Sequence, residues 1–416
     1  MRPLRTLAPR LEALLLERRL LHGAAWLFAG ALMARVTALV ASLLVARALG
    51  LPSFGKFGML QSTLLMFQTF AAFGLGETAT KYLAELRATD PERAGRIAGL
   101  STTTAVVAGV AFASLLFFLA PVIARRALQA PELEGALRVS APALFFGALT
   151  GAQTGALAGL EAFRAMARVN AIAGLLTLPL LVGGVYLGGL TGGVWGLVLI
   201  SAGTWLANKL VLRREFERSN VTIRFRGCVR ELPVLWGFSL PAVLGGAMVV
   251  PVHWLCATLL VQRPGGYAEM GLFNAANQWH QALLFIPTLV SQAVLPILAN
   301  RLGTGERERA LGTLRSAIRA NAVFSAAIAL VLAALSPWIM QSYGAGFRAG
   351  WPTLTIVVLT SVLFAISVPV GQFIAASGKM WVGFAMNSGW ALAYFVFSMG
   401  LVQFGARGLA GARFLA

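Results

Sequence analysis

The chain has 416 residues, of which 58% are hydrophobic and 12% charged, with a formal net charge of +19. No soluble core needs that much apolar surface, and hydrophobic runs of about 20 residues recur along the whole length, each long enough to cross a bilayer as a helix. Strand alternation is missing from these runs, so the class is all-α and polytopic, with no separate soluble domain left over.

In chain order, residues 1–22 are basic with clustered leucines and lack a small-residue cleavage site, which predicts an interfacial cytoplasmic helix rather than a signal peptide. Six spans follow near 24–48, 58–80, 97–119, 139–160, 169–190 and 193–212, an N-terminal lobe over 23–212. Between the third and fourth, "PVIARRALQAPELEGALRVSAP" reads as an interfacial helix on the outer face. A basic cytoplasmic linker covers 213–236. The C-terminal lobe, 237–416, holds spans near 239–261, 271–297, 319–340, 353–375 and 381–402, and a twelfth starting near 405. Pro241 and Pro251 interrupt the seventh span, and Pro287 and Pro296 the eighth, where a missing backbone bond permits a bend.

The placement of charge argues against nucleic acid. With the N-terminus inside, 24 of the 34 Lys and Arg fall in inside segments and 8 in outside segments, while Arg35 and Arg413 lie within spans. That asymmetry is the positive-inside rule, and it puts the N-terminus in the cytoplasm. Cys228 falls in a cytoplasmic loop and Cys256 in a span, which argues against a disulfide. His22, His253 and His280 show no metal-ligand spacing.

The chain repeats itself. "FGKFGMLQSTLLMFQ" (54–68) aligns without gaps on "YAEMGLFNAANQWHQ" (267–281) at an offset of 213, so Gln61 meets Asn274 and Gln68 meets Gln281. Asn170 and Asn387 each open a fifth helix of their half. Six spans per half is even, so the halves form a parallel repeat about an axis along the membrane normal, with a central cleft. At offset 213 Gly405 corresponds to Gly192, which sets Ala416 opposite Gly203; the last helix is therefore expected to be truncated or abnormally short.

The most informative stretch is "FNAANQWHQALLF" (273–285). Asn274, Asn277, Gln278 and Gln281 recur at i, i+3, i+4 and i+7 and share one narrow helix face, with Trp279 and His280 elsewhere. A stripe of amides whose equivalents recur in the other half, at Gln61 and Gln68, points to a shared polar cavity; bonding between neighbouring helices is the alternative. All fifteen acidic residues lie in loops or near span ends, none near the midplane. A cation exporter normally wants a carboxylate there. The one ionisable side chain placed deep in a span is Arg35, in "ALMARVTAL", and a cation without an embedded acid suits an anionic ligand; bonding to backbone carbonyls is the plainer alternative. Glu77 and Lys81 are four apart near the cytoplasmic mouth, a helix-end pair whose lysine could also attract an anionic headgroup at the entrance. There is no P-loop and no deep His or acid pair, so neither ATP hydrolysis nor general acid–base catalysis is expected, and no cofactor.

Four motifs, "ARALGLPSFGKFGML" after the first span, "FGLGETATKYLAEL" closing the second, "GALAGLEAFRAMARVN" between the fourth and fifth, and "YAEMGLFNAANQWHQALLFIPTLVSQAVLPIL" in the eighth, together resemble Wzx-type polysaccharide and O-antigen flippases. These are the oligosaccharide flippase family of the multidrug/oligosaccharidyl-lipid/polysaccharide (MOP) exporter superfamily. The resemblance implies two six-helix lobes in a MATE-like arrangement. It implies a transporter of undecaprenyl-pyrophosphate-linked sugar units across the bacterial inner membrane by alternating access. Its partners would be that lipid-linked oligosaccharide, membrane lipids and the polysaccharide polymerase machinery. On that reading Arg35 meets the phosphates, Asn274, Asn277, Gln278 and Gln281 with Gln61 and Gln68 opposite bond sugar hydroxyls, and Lys81 marks the cytoplasmic entrance. The alternatives are a multidrug exporter of the same superfamily, against which the acid-free core argues, and a membrane glycosyltransferase or polymerase. The last needs a deep acid or a large outer loop, and neither is found.

Overall fold

A computed structural model describes residues 30–72, 74–234 and 248–416. The expected interfacial helix 1–22, the start of the first span, and the first part of the seventh with Pro241 lie outside the described residues. Helices occupy every predicted span that falls within them. In the first lobe these are α1 (Gly30–Leu49), α2 (Leu51–Ala71), α3 (Leu75–Leu86), α4 (Pro91–Val122), α5 (Leu133–Gly159), α6 (Phe163–Thr177) and α7 (Gly183–Arg218). In the second they are α8 (Val249–Val261), α9 (Gly266–Gly303), α10 (Arg307–Ala334), α11 (Ser336–Ser342), α12 (Trp351–Ala376), α13 (Met380–Leu401) and α14 (Gly405–Leu415). Local chemistry sets the starts. Asp90 caps α4 by accepting from the Arg93 N–H at 2.9 Å, with Pro91 in the first turn where no donor is needed.

Among the described residues seven helical stretches are long and apolar enough to cross a membrane. Two of them fold back on themselves. Phe163–Arg218 spans 56 residues, which as a single rod would run about 84 Å against ~30 Å of hydrocarbon. It turns at Gly189 (φ 57°, ψ −139°). Met380–Leu415 turns at Gly405 (φ 65°, ψ −141°). Both are backbone conformations that only glycine adopts without strain. The matching dihedrals correct the repeat: Gly405 corresponds to Gly189, not Gly192. The helix starts Pro91 and Arg307 are offset by the same amount as Gly189 and Gly405.

Two other boundaries move. Residues 121–138 are not a separate interfacial helix. They hold the end of α4, a π turn over Ile123–Ala127, a short connection and the first turns of α5, with Glu134 bridging Arg125 and Arg138, each at 3.1 Å. The sixth helix runs on to Arg218, so it takes the first residues assigned to the linker. The linker then lies along α4: the Arg224 N–H bonds the Gly95 carbonyl at 3.0 Å, and buried Glu231 takes Arg93 and Arg96 at 3.2 and 3.3 Å.

Within the first lobe α5 packs against α4 and α7, and within the second α12 packs against α9 and α10. Small residues bring the helices close, and the outer surface is greasy, with Phe118, Leu187 and Leu392 exposed there. An apolar outer surface over closely packed helices suits a bundle surrounded by lipid. The bundle has a basic end, where α3 meets α4 and α9 meets α10, and a far end, where α4 meets α5 and α8 meets α9.

Candidate functional site

The lobes join through α2 and α9 in their far-end halves. There the two backbones touch: a Cβ on Gly55 would stand 1.9 Å from the Tyr267 carbonyl oxygen, and one on Gly58 would overlap the Asn274 amide at 1.4 Å. Around this crossing, bonds run between lobes. Tyr267 donates from its hydroxyl to the Leu128 carbonyl at 2.7 Å, and Gln262 from its amide to the Ala127 carbonyl at 2.8 Å. Trp254 donates from its indole to Thr63 at 2.9 Å, and Arg47 to the Ser342 carbonyl at 2.6 Å. These acceptors lie at the end of the helix, where the last carbonyls have no intrahelical partner. Beside them Lys56 pairs with Glu132 at 2.7 Å and holds that carboxyl below its ordinary pKa.

Below the crossing the lobes line a cavity of about 290 Å³. Gln61, Ser62 and Leu65 line it from α2, His253 and Ala257 from α8, and Asn274, Asn277, Gln278 and Gln281 from α9. Asn274, Asn277 and Gln278 are half-buried while Gln281 is exposed, so the amide face opens toward the basic end; Ala275 and Ala276, on the back of the same helix, are fully buried. A second hollow of about 190 Å³ adjoins on the first-lobe side and shares Gln61 and Gln278.

Arg35 reaches this face from α1. Its guanidinium donates to the Gln281 side-chain oxygen at 3.2 Å and to the Gln278 backbone carbonyl at 3.1 Å, so a cation of the first lobe is held by the second. Its Nε is buried with no hydrogen-bond partner. Six of the seven residues proposed from the sequence as substrate contacts therefore meet in one place. Two of the predicted positions fall outside it. Gln68 shares a helix face with Gln61 but lies two turns nearer the basic end, where α2 has moved onto α5 of its own lobe; its amide sits over Gly147. Lys81, on α3, is exposed, with its ammonium 5.1 Å from the Tyr82 ring centre.

Asn274 is more a roof than a wall. Its amide rests on the bare backbone of Gly58 with its nitrogen unpartnered. His280 faces the cavity edge but is anchored in the core, its Nδ1 2.7 Å from the Ser361 hydroxyl. The residue that sequence reasoning did not assign is Arg413. Delivered by α14 and only 3% exposed, it lines the cavity, donates to the Asn277 side-chain oxygen at 3.0 Å and lies over the Phe273 ring. Among the described residues no group of three or more His, Cys, Asp or Glu could hold a metal, and both cysteines are free.

A family model described as polysaccharide biosynthesis protein matches residues 20–301. The chain belongs to this family. Among curated relatives, this family member is 28% identical over 375 residues to the EPS I polysaccharide export inner membrane protein EpsE of Ralstonia nicotianae, covering 88% of this chain and 83% of that one. Its fold is similar to a multidrug resistance MATE family transporter of the MOP superfamily in its inward-facing conformation, with a TM-score of 0.77 at 15% identity over 94% of each chain. It is also similar to the lipid II flippase MurJ, with a TM-score of 0.73 at 14% identity over 93% of this chain and 84% of that one. The family is that of polysaccharide biosynthesis proteins, and the fold is one shared with multi-pass membrane transporters.

Proposed function

We propose that this family member flips undecaprenyl-pyrophosphate-linked oligosaccharide across the bacterial inner membrane by alternating access, supplying polysaccharide biosynthesis. One observation carries the reading: Arg35 meets Gln278 and Gln281 at the lobe boundary. An arginine within a span costs at least ~2.5 kcal/mol on insertion scales, so a chain that keeps one beside a polar cavity uses it. Among the described residues Arg35 has no carboxylate partner, which leaves the site suited to an incoming anion. A guanidinium fork matches a phosphate in geometry and charge. The amides of Gln61, Asn277 and Gln278 offer donors and acceptors for sugar hydroxyls, with Asn274 holding the roof. The polyprenyl tail stays in lipid.

The basic end is cytoplasmic by the positive-inside rule, with the N-terminus on that side. The contacts between Gly55 and Tyr267 then close the periplasmic end, and the cavity opens inward. Lys81 stands on the cytoplasmic half, where it would attract an anionic headgroup. Rocking of the lobes about the axis between α2 and α9 would open the other end. Similarity to a polysaccharide export inner membrane protein and to a lipid II flippase supports the same direction. Export of cationic drugs, the second reading, is disfavoured because among the described residues no carboxylate lines the cavity.

The test is complementation of a flippase-null strain, scored as surface polysaccharide per unit of membrane-inserted protein. Arg35→Lys keeps the charge and loses the fork, so it retains part of the activity, while Arg35→Ala loses nearly all. Full complementation by Arg35→Ala would remove Arg35 from the site.

A further inference from the structure

Among the described residues that line the cavity, Arg413 is the least satisfied ionisable group. It is almost fully buried, yet of its guanidinium nitrogens only Nη1 has a partner, the Asn277 side chain; Nε and Nη2 have none. Phe273 offers its ring face, which favours a cation but satisfies no donor. Among the described residues no carboxylate pairs with it. A buried charge left this way is strongly unfavourable unless something is brought to it.

Its position relative to Arg35 defines what that something is. Arg35 is held at Gln281 and Arg413 at Asn277, four residues apart on α9, hence one helical turn and about 6 Å along the axis. The two cations come from opposite lobes, α1 and α14, and converge on one amide ladder. We propose that Arg413 is the second half of a two-lobe guanidinium clamp whose ligand is a diphosphate diester, with one phosphate on Arg35 and the other on Arg413. This rests on the flippase reading above and adds a residue, a stoichiometry and a coupling to it. A diester of diphosphate carries one negative charge on each phosphorus, so two fixed cations neutralise it group by group. A monophosphate diester or a single carboxylate carries one negative charge and can neutralise only one of them.

The clamp also explains how a ligand would move the lobes. A ligand shifts a conformational equilibrium only by binding the two states with different affinity. A dianion spanning Arg35 and Arg413 bonds one residue from each lobe at once. It therefore favours the state in which those residues are closest and loses one partner as the lobes part on that side.

The experiment uses purified full-length protein in nanodiscs and two soluble-tail probes, citronellyl diphospho-N-acetylglucosamine and the singly charged diester citronellyl phospho-N-acetylglucosamine, with binding read by calorimetry. Wild type should bind the diphospho probe at least about tenfold more tightly than the monophospho probe. Arg413→Gln should weaken the diphospho probe by about 10- to 100-fold, the loss of one charge-assisted contact. It should leave the monophospho probe, held on Arg35, within about twofold. Asn277→Asp is the second variant, because it hands Arg413 a carboxylate partner. It should unfold at or above the wild-type temperature and still lose the diphospho preference, which separates loss of the clamp from loss of the fold. If wild type shows the preference and folded Arg413→Gln or Asn277→Asp keeps it, the clamp is wrong while the flippase reading stands. If wild type binds neither probe, that reading fails together with the clamp.

Discussion

The closed far end depends on bare glycine backbone, which makes Gly55→Ala a direct mechanical test. The new Cβ would lie 1.9 Å from the Tyr267 carbonyl oxygen and 2.9 Å from its carbon. Backbone atoms cannot rotate away, so reaching the ~3.0 Å floor of real contacts parts α2 and α9 by about 1 Å at their crossing. Overpacking of that kind costs ~1–3 kcal/mol, and it falls on the conformation with this end closed. The balance between conformations should move by about 5- to 150-fold toward a far end held open. Gly58→Ala is the gentler comparison, since its overlap is with the Asn274 side chain, which can turn. Gly135→Ala, with nothing within 4 Å of its Cβ, is the control. Spin labels at Arg126 on the first lobe and Arg348 on the second, both exposed at the far end, report the separation by pulsed electron resonance in a cysteine-free background. Gly55→Ala should add a longer-distance population that Gly135→Ala lacks. An unchanged distribution in Gly55→Ala would refute the idea that this crossing holds the lobes shut.

Three further outcomes follow from the geometry. Asn277→Leu with Gln281→Leu removes the side-chain acceptors of both cavity arginines and should abolish surface polysaccharide, whereas His280→Leu, which loses a core bond to Ser361, should lower thermal stability by about 1 kcal/mol and leave transport per folded molecule near wild type. The depressed Glu132 carboxyl stabilises the fold at pH values above its unfolded pKa, and that contribution is lost as pH falls through the lower folded value; the pair is largely exposed, so Glu132→Gln should cost under ~1 kcal/mol at neutral pH and flatten the acid-side fall in melting temperature below pH 4.5. Cysteines placed at Gly303 and Gln129 should label from the cytoplasmic and periplasmic sides respectively, and periplasmic labelling of Gly303 in intact cells would invert the topology.

Hydropathy located the helices because bilayer thickness sets their length, and the i, i+3, i+4, i+7 spacing located the amide face because helix pitch is fixed. Arg35 stood out as a cation inside a span. What could not be read locally was which surface each face meets. Gln68 repeats after Gln61 at a helical period, yet α2 crosses α9 at an angle, so a residue two turns on faces Gly147 instead of the cavity. The turn equivalence falls on Gly192 when the offset of 213 is carried over from the second helices, while the backbone reverses at Gly189, a distinction of dihedral angle rather than residue type. Arg413 was visible as an arginine in an apolar helix without an acid, the same signal that marked Arg35. Only the packing of α14 against α9 brings it to Asn277.

The central claim, that the cavity carries a lipid-linked diphosphate sugar from one leaflet to the other, is tested most directly in proteoliposomes holding a fluorescent short-chain diphospho-oligosaccharide lipid, with the outer-leaflet fraction read by a membrane-impermeant quencher. Wild-type protein should move the lipid between leaflets faster than protein-free vesicles do, and Arg35→Ala, reconstituted to the same density, should move it about 10- to 100-fold more slowly. Wild-type vesicles that move the lipid no faster than empty ones, while accumulating a cationic dye, would contradict the account.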